Sequence, residues 1–138
     1  MAVRDKWNKP YCIETLETHI DDRGALFEML RMTSQEIPKG GQFYIYTVAP
    51  NTRRGDHFHE KKLEWFTCVS GEVKLFLKTS IGEKISENLS AKTPKLVFAG
   101  PGTSHAIENN KTVEAVIAAY SSKEFEPENP DTIVKKAD

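Results

Sequence analysis

The chain of 138 residues has the usual size of one domain and can bury a hydrophobic core without disulfides to staple it. Hydrophobic residues make up 38% and charged residues 28%, and the formal net charge of −1 gives no reason to expect nucleic acid or an anionic membrane as partner. No apolar run approaches the roughly 18 residues of a membrane span, and the polar N-terminus lacks a signal-peptide pattern, so we expect a cytoplasmic protein.

Alternating patterns and β-branched or aromatic runs dominate the chain, and Gly, Pro, Asn and Ser separate them. In chain order, strands are predicted over residues 11–16, 25–30, 42–48, 63–69, 72–78, 84–89, 95–98 and 113–120, with a further strand starting at His105. The other segments are predicted as turns (22–24, 80–82), irregular chain (32–41), a loop (50–54) and a polar tail (124–138). Many short strands without a helical pattern predict an all-β sandwich or closed barrel, as a single domain over 1–138.

Four side chains carry the chemistry that the sequence makes most evident. His57 and His59 are two residues apart, so on a strand both imidazoles point to one face. Glu64 begins the next strand at the head of an otherwise apolar face, where a lone carboxylate is costly to bury. His105 follows a Gly-Pro-Gly break and starts another strand. Three imidazoles and one carboxylate suit a divalent metal, with Zn²⁺ favoured and Fe²⁺, Ni²⁺ or Mn²⁺ as alternatives.

The spacing of these residues resembles the two cupin motifs. The first, His-x-His-x4-Glu-x6-Gly, is matched at every fixed position by His57, His59, Glu64 and Gly71. The second, in which a Pro/Gly turn precedes His-x3-Asn, is similar to residues 101–109, although the proline stands one place late. The resemblance implies the cupin fold, a double-stranded β-helix or jelly-roll barrel.

Further runs resemble the cupins of nucleotide-sugar metabolism. Residues 21–28 are similar to their Asp-x-Arg-Gly-x-Phe-x-Glu opening, with Leu26 in place of the phenylalanine. The Arg-Gly-x-His run at 54–57 resembles the dTDP-4-dehydrorhamnose 3,5-epimerases and the 3,4-ketoisomerases. The run Gly-Gln-Phe at 41–43 and the closing Phe-Glu-Pro-Glu-Asn-Pro-Asp-Thr at 125–132 resemble the C-terminal cupin domain of bifunctional capsular-polysaccharide UDP-sugar epimerase/reductases.

This resemblance implies an epimerase or isomerase that moves a proton next to the ketone of a nucleotide-linked 4-keto-6-deoxy sugar, in surface polysaccharide biosynthesis. Such chemistry needs a base, an acid and a positive group at the enolate oxygen. The candidates are His57, Tyr44 and Tyr46 for catalysis, and Arg23, Arg53 and Arg54 for binding the substrate, where an arginine can hold a diphosphate through paired N–H donors.

The role of His57 is contested. In the 3,5-epimerases the histidine of Arg-Gly-x-His is the base and no metal is present, whereas here His57 also fits the first metal-ligand position. The metal-free 3,4-ketoisomerases tend to carry glutamine where this chain has Glu64, so Glu64 favours a metal. The base would then be another group, such as a metal-bound hydroxide or a tyrosine.

Two other functions remain open from the sequence, an Fe²⁺-dependent cupin dioxygenase and a non-catalytic sugar-binding cupin. The resemblance also implies a homodimer in which residues 1–20 are exchanged between subunits. Lys61 and Lys62 are predicted to be ordinary surface residues, and Asn109 to be a turn residue.

Overall fold

The computed structural model of the chain describes residues 3–138. A four-residue helix, α1 (Val3–Lys6), precedes twelve short strands. These are β1 (Tyr11–Thr15), β2 (Thr18–Asp21), β3 (Gly24–Phe27), β4 (Gln42–Val48), β5 (Thr52–Phe58), β6 (Glu64–Ser70), β7 (Glu72–Lys78), β8 (Lys84–Ser90), β9 (Lys95–Ala99), β10 (Ser104–Asn109), β11 (Ala115–Ser121) and β12 (Ile133–Val134). The all-β architecture predicted from the sequence is therefore confirmed. No helix in the described part of the chain is long and apolar enough to cross a membrane.

Two five-stranded antiparallel sheets form the body of the protein. One has the strand order β1-β9-β6-β11-β4 and the other β12-β5-β10-β7-β8, while β2 and β3 form a separate hairpin. The inner faces of the two sheets share one buried cluster, to which β6 contributes Phe66 and β7 contributes Leu75 and Leu77. Because successive side chains of a strand alternate between faces, this cluster fixes which residues of β4, β5 and β6 look inward.

The outer face of the first sheet is covered by the N-terminal segment. Trp7 packs edge-on against Trp65, with ring centroids 5.4 Å apart, and also contacts Phe98. Strand β1 pairs with β9 of the same chain. Within this single chain Trp7 and strand β1 thus lie against their own sheet, while residues 1 and 2 lie outside the described residues. The homodimer and its exchanged segment stay predictions.

Strand β5 begins at Thr52, so it includes the last three residues of the loop predicted over 50–54. Thr52 to Arg54 pair with β10, so tertiary pairing outweighs the polar sequence of this stretch. The register of the pair shifts next to His105, and Gly55 (φ 102°) and Asp56 (φ 58°) both take positive φ there. A Cβ atom on Gly55 would lie 2.5 Å from the carbonyl oxygen of His105, so the close pairing of these strands requires glycine.

Candidate metal-binding active site

The four metal-ligand candidates meet between the two sheets. His57 on β5 lies directly opposite His105 on β10 in the ladder. His59 follows β5 by one residue, and Glu64 begins β6 in the facing sheet. One atom from each of the three imidazoles lies within 4.8 Å of the others. The structure therefore brings together all four residues that the cupin motifs single out, from three strands and a loop.

Glu64 bridges two of the histidines. Its Oε1 lies 3.0 Å from Nε2 of His59 and its Oε2 lies 3.5 Å from Nε2 of His105. The residue is 7% exposed. Burial opposes the charge on this carboxylate, but the imidazoles of His105 and His59 hold its pKa well below the ordinary value. Glu64 is therefore ionised at neutral pH.

Backbone carbonyl groups orient the imidazoles from behind. Nδ1 of His59 hydrogen-bonds to the carbonyl oxygen of Asp131, and Nδ1 of His105 lies 3.4 Å from the carbonyl oxygen of Thr103. In both rings this leaves Nε2 directed at Glu64. Such outer contacts are the usual way in which proteins fix the tautomer of a metal-binding histidine.

The protonation of the histidines differs with their surroundings. Burial lowers the pKa of His57 to about 4, and the neighbouring His105 and His59 add to this shift. Burial also acts to lower the pKa of His59, but the Glu64 carboxylate outweighs it and raises that pKa above 6.5. His57 is therefore neutral at pH 7, which suits either a metal ligand or a base.

The residues present fit a divalent metal. Nε2 of His59 is buried and has no partner with hydrogen-bonding geometry among the described residues, although a carboxylate oxygen is close by. Three inward imidazoles and an ionised carboxylate form a donor set that suits Zn²⁺ and other first-row divalent ions. A bound cation would offset the cost of burying Glu64 and would use the unsatisfied nitrogen of His59.

A cavity opens beside this cluster, and the predicted tyrosines line it. Tyr44 and Tyr46 project inward from β4 with ring centroids 6.1 Å apart, and Arg54 sits at the rim with its guanidinium 5.1 Å from the Tyr46 ring centroid. Phe66 and Ile107 supply apolar wall. Burial raises the pKa of both tyrosines well above the ordinary value, and the nearby Glu64 adds to the shift. The two phenols are therefore hydrogen-bond donors at neutral pH.

The other two predicted substrate arginines lie elsewhere. Arg53 is on the outer face of its sheet, where it pairs with Asp56 at 2.8 Å and Asp138 at 3.0 Å and lies over the ring of Phe76. Arg53 and Arg54 face opposite sides because successive strand residues alternate, and the bulge at Gly55 and Asp56 places Arg54, rather than Arg53, on the face of His57. Arg23 is exposed on the hairpin of β2 and β3 and pairs with Asp21. Within one chain neither Arg53 nor Arg23 lines the cavity.

The C-terminal tail forms a wall that the sequence did not assign. Strand β12 pairs with β5 beside His57 and Phe58. The Asp131 carboxylate accepts backbone N–H groups from Glu60, Lys61 and Lys62 at 2.7 to 2.9 Å. The tail thereby fixes the loop between His59 and Glu64. The closing Pro-Asp-Thr run was a distinctive signal in the sequence, but nothing local in it indicated which backbone groups it would bind.

Removal of the Asp131 side chain is expected to loosen this loop. We expect Asp131→Ala to lower the free energy of unfolding by about 2 kcal/mol, because three hydrogen bonds to a carboxylate are lost. Metal affinity should fall about tenfold, since the backbone oxygen that orients His59 moves with the loop. Chemical denaturation and metal titration measure the two effects. Asp22→Ala, an exposed control with no described side-chain contact, should change neither, and an unchanged Asp131→Ala protein would contradict the assignment.

Comparison with known proteins identifies relatives of this arrangement. Residues 19–133 match the family model for the polysaccharide biosynthesis C-terminal domain. A UDP-2-acetamido-2,6-beta-L-arabino-hexul-4-ose reductase of Pseudomonas aeruginosa is 31% identical over 115 residues, which make up 83% of this chain and 30% of that protein. The chain thus spans less than a third of the length of this relative.

Solved structures share the fold. The capsular polysaccharide assembling protein CapF of Staphylococcus aureus aligns with a TM-score of 0.68 and 28% identity, over 88% of this chain and 34% of CapF. A dTDP sugar isomerase of Desulfovibrio desulfuricans aligns with a TM-score of 0.81 and 16% identity, over 93% of this chain and 85% of that one. The 3'-monoepimerase ChmJ of Streptomyces bikiniensis aligns with a TM-score of 0.80 and 18% identity, over 91% of this chain and 69% of ChmJ. At 16% and 18% identity, the last two show a likeness of fold only.

Proposed function

The chain belongs to the polysaccharide biosynthesis C-terminal domain family, and on that premise we propose that it is an epimerase or isomerase of a nucleotide-linked 4-keto-6-deoxy sugar in surface polysaccharide biosynthesis. The cupin fold and the relationship to the RmlC-like cupins of nucleotide-sugar metabolism, both predicted from the sequence, are confirmed. Among the relatives, the P. aeruginosa protein is named for a UDP-linked 4-ulose, and ChmJ is a sugar epimerase. These names support the proposed substrate class.

The observation that carries the proposal is the composition of the cavity. Its polar wall combines neutral His57 and two protonated phenols with the Glu64 and His105 cluster, and the remaining wall is partly apolar. Epimerisation next to a ketone needs a group that accepts the C–H proton and groups that donate hydrogen bonds or protons to the enolate. All of these lie around one space between the sheets.

The residues divide the proposed reaction between them. A base takes the proton from the carbon next to the ketone, the electron pair moves onto the ketone oxygen, and reprotonation on either face of the carbon gives the epimer. Tyr44 and Tyr46 are the donors placed to hydrogen-bond the enolate oxygen or to return the proton. A divalent ion held by His57, His59, Glu64 and His105, with Zn²⁺ favoured, would polarise the ketone as a Lewis acid.

Deuterium exchange tests the reaction directly. We expect the protein to exchange the C3 or C5 proton of a UDP- or dTDP-4-keto-6-deoxyhexose when the mixture is incubated in D₂O and followed by NMR. Tyr44→Phe, which removes one donor with little change in shape, should slow exchange by at least tenfold. Absence of exchange with every such sugar would overturn the proposal. Oxygen consumption by Fe²⁺-loaded protein would instead indicate the dioxygenase alternative.

Metal affinity is expected to decrease as the pH is lowered, because protons compete with the metal for His59. Its pKa is raised above 6.5, so below that pKa a proton must leave the ring before a metal can bind. His57, with a pKa of about 4, and the low-pKa Glu64 do not compete above pH 5. The proton on His59 should therefore raise the apparent Kd for Zn²⁺ at least tenfold between pH 6 and pH 5. A chelator-competition titration measures it, circular dichroism checks folding at each pH, and a flat profile would contradict the assignment.

A further inference from the structure

Lys62 is a buried cation whose ammonium forms no ion pair among the described residues. Its side chain belongs to the loop between His59 and Glu64 and is only 7% exposed, so the predicted surface position is wrong for this lysine. Among the described residues, no carboxylate forms an ion pair with its ammonium within 4.0 Å, and the described neighbour is the Phe125 ring, 5.4 Å from Nζ to the centroid. A buried ammonium without a partner is costly, and a bound anion would offset that cost.

The cavity that Lys62 lines offers further donors. It shares Tyr44, His57 and Glu64 with the cavity of the tyrosines, and Gln42, Phe125 and Thr132 also line it. The side-chain oxygen of Gln42 accepts the backbone N–H of Phe125 at 2.7 Å, so the amide NH₂ is the group of this side chain that remains to donate. No hydrogen bond from the Gln42 NH₂ or the Thr132 hydroxyl occurs among the described residues. The wall of this cavity therefore presents an ammonium, an amide and a hydroxyl as available donors.

We infer that Lys62, together with Gln42 and Thr132, binds a phosphate group of the nucleotide diphosphate. The inference rests on the proposed function, which places the ketone at the His57 and Glu64 cluster. In a nucleotide-linked 4-keto sugar the diphosphate is on C1, across the ring from the C4 ketone. A sugar with its ketone at the cluster thus places its diphosphate away from the cluster, and Lys62 is a cation in the wall of one of the two cavities that include His57 and Glu64. Arg54, at the rim of the tyrosine cavity, is the alternative cation.

Binding of UDP and of inorganic pyrophosphate, measured by isothermal titration calorimetry, tests the inference without turnover. We expect Lys62→Met to weaken UDP binding by at least tenfold, because a charge-assisted hydrogen bond is lost. Lys62→Arg should stay within about threefold of the unchanged protein. Lys61→Met is the matched control, because it removes the same charge from the adjacent exposed residue, and it should leave UDP affinity unchanged. The affinities of the variants for pyrophosphate should follow the same order, since pyrophosphate has the two phosphates without the nucleoside.

Two further measurements separate the subsite from other effects. Metal content and melting temperature of Lys62→Met should match those of the unchanged protein, so that lost binding is not traced to the neighbouring cluster or to unfolding. If Lys62→Met fails to fold, UDP affinity is measured for Lys62→Arg and Thr132→Val instead. Thr132→Val is expected to lose UDP affinity several-fold. Arg54→Met is expected to weaken UDP binding less than Lys62→Met does.

The outcomes distinguish the subsite from the reaction. Four results would each overturn the Lys62 subsite. They are equal UDP affinity in Lys62→Met and the unchanged protein, an equal loss of UDP affinity in Lys61→Met, a larger loss of UDP affinity in Arg54→Met, and no UDP binding by the unchanged protein. Lys62-dependent UDP binding without deuterium exchange would overturn the proposed reaction and keep the subsite. Deuterium exchange with an unaltered KM in Lys62→Met would overturn the subsite and keep the proposed reaction.

Discussion

Glu64→Gln is expected to lower the affinity for Zn²⁺ by at least a hundredfold. Glutamine has nearly the same shape but carries no charge, so the three imidazoles lose the anion that lies 3.0 Å from His59 and 3.5 Å from His105. Removal of a residue that merely orients a ligand costs ten- to a hundredfold in metal affinity, and a direct ligand should cost more. Metal content after purification and a chelator-competition titration measure the effect.

A control on the same loop isolates the role of this carboxylate. Glu60→Gln makes the same chemical change at an exposed side chain four residues earlier, and its metal affinity should match that of the unchanged protein. Deuterium exchange should fall together with metal content in Glu64→Gln. Stoichiometric metal at unchanged affinity in Glu64→Gln would show that the carboxylate is not a ligand, and the site would then resemble that of the metal-free relatives.

Local pattern was sufficient for the four clustered residues because each lies in or next to a predicted strand. His57 is on β5 and His59 follows it by one residue, Glu64 begins β6, and His105 is the second residue of β10. Their juxtaposition follows once the fold is a jelly roll. Metal ligation itself stays a prediction, since it depends on affinity rather than on placement. The alternation that placed Tyr44 and Tyr46 together also holds in the structure.

Features that depend on contacts between distant parts of the chain were not predictable in the same way. Lys62 is adjacent to exposed Lys61 and is identical in type, and it is buried because residues 124–134 fold back across the loop. Strand alternation alone would place Arg53 on the face of His57, and a bulge set by pairing with β10 places Arg54 there instead. The sequence predicts a polar tail and indicates no role for it in the site, although the Asp131 carboxylate binds the loop between His59 and Glu64.

His57→Asn is expected to lose both metal and activity. The imidazole is neutral at pH 7, with a pKa of about 4, and its ring centroid lies 4.8 Å from that of His105 and 5.1 Å from that of His59. Asparagine is a weaker and shorter ligand, so Zn²⁺ affinity should fall by at least a hundredfold, more than the loss of a residue that only orients a ligand. Deuterium exchange should fall about a thousandfold, within the range of a lost catalytic group. His19→Asn, at the exposed fourth histidine, is the matched control and should change neither quantity.

Comparison of metal occupancy with deuterium exchange decides whether His57 is a metal ligand or the base. If His57 acts through the metal, exchange by His57→Asn should recover in part when excess Zn²⁺ refills the site. If it acts as the base, the variant should hold Zn²⁺ stoichiometrically at unchanged affinity and stay inactive at every metal concentration, which would contradict the ligand assignment. The low pKa of the free imidazole suits both roles, because neither a ligand nor a base can carry the proton at the start. Metal occupancy and exchange must therefore be measured on the same samples, since activity alone gives the same loss in both cases.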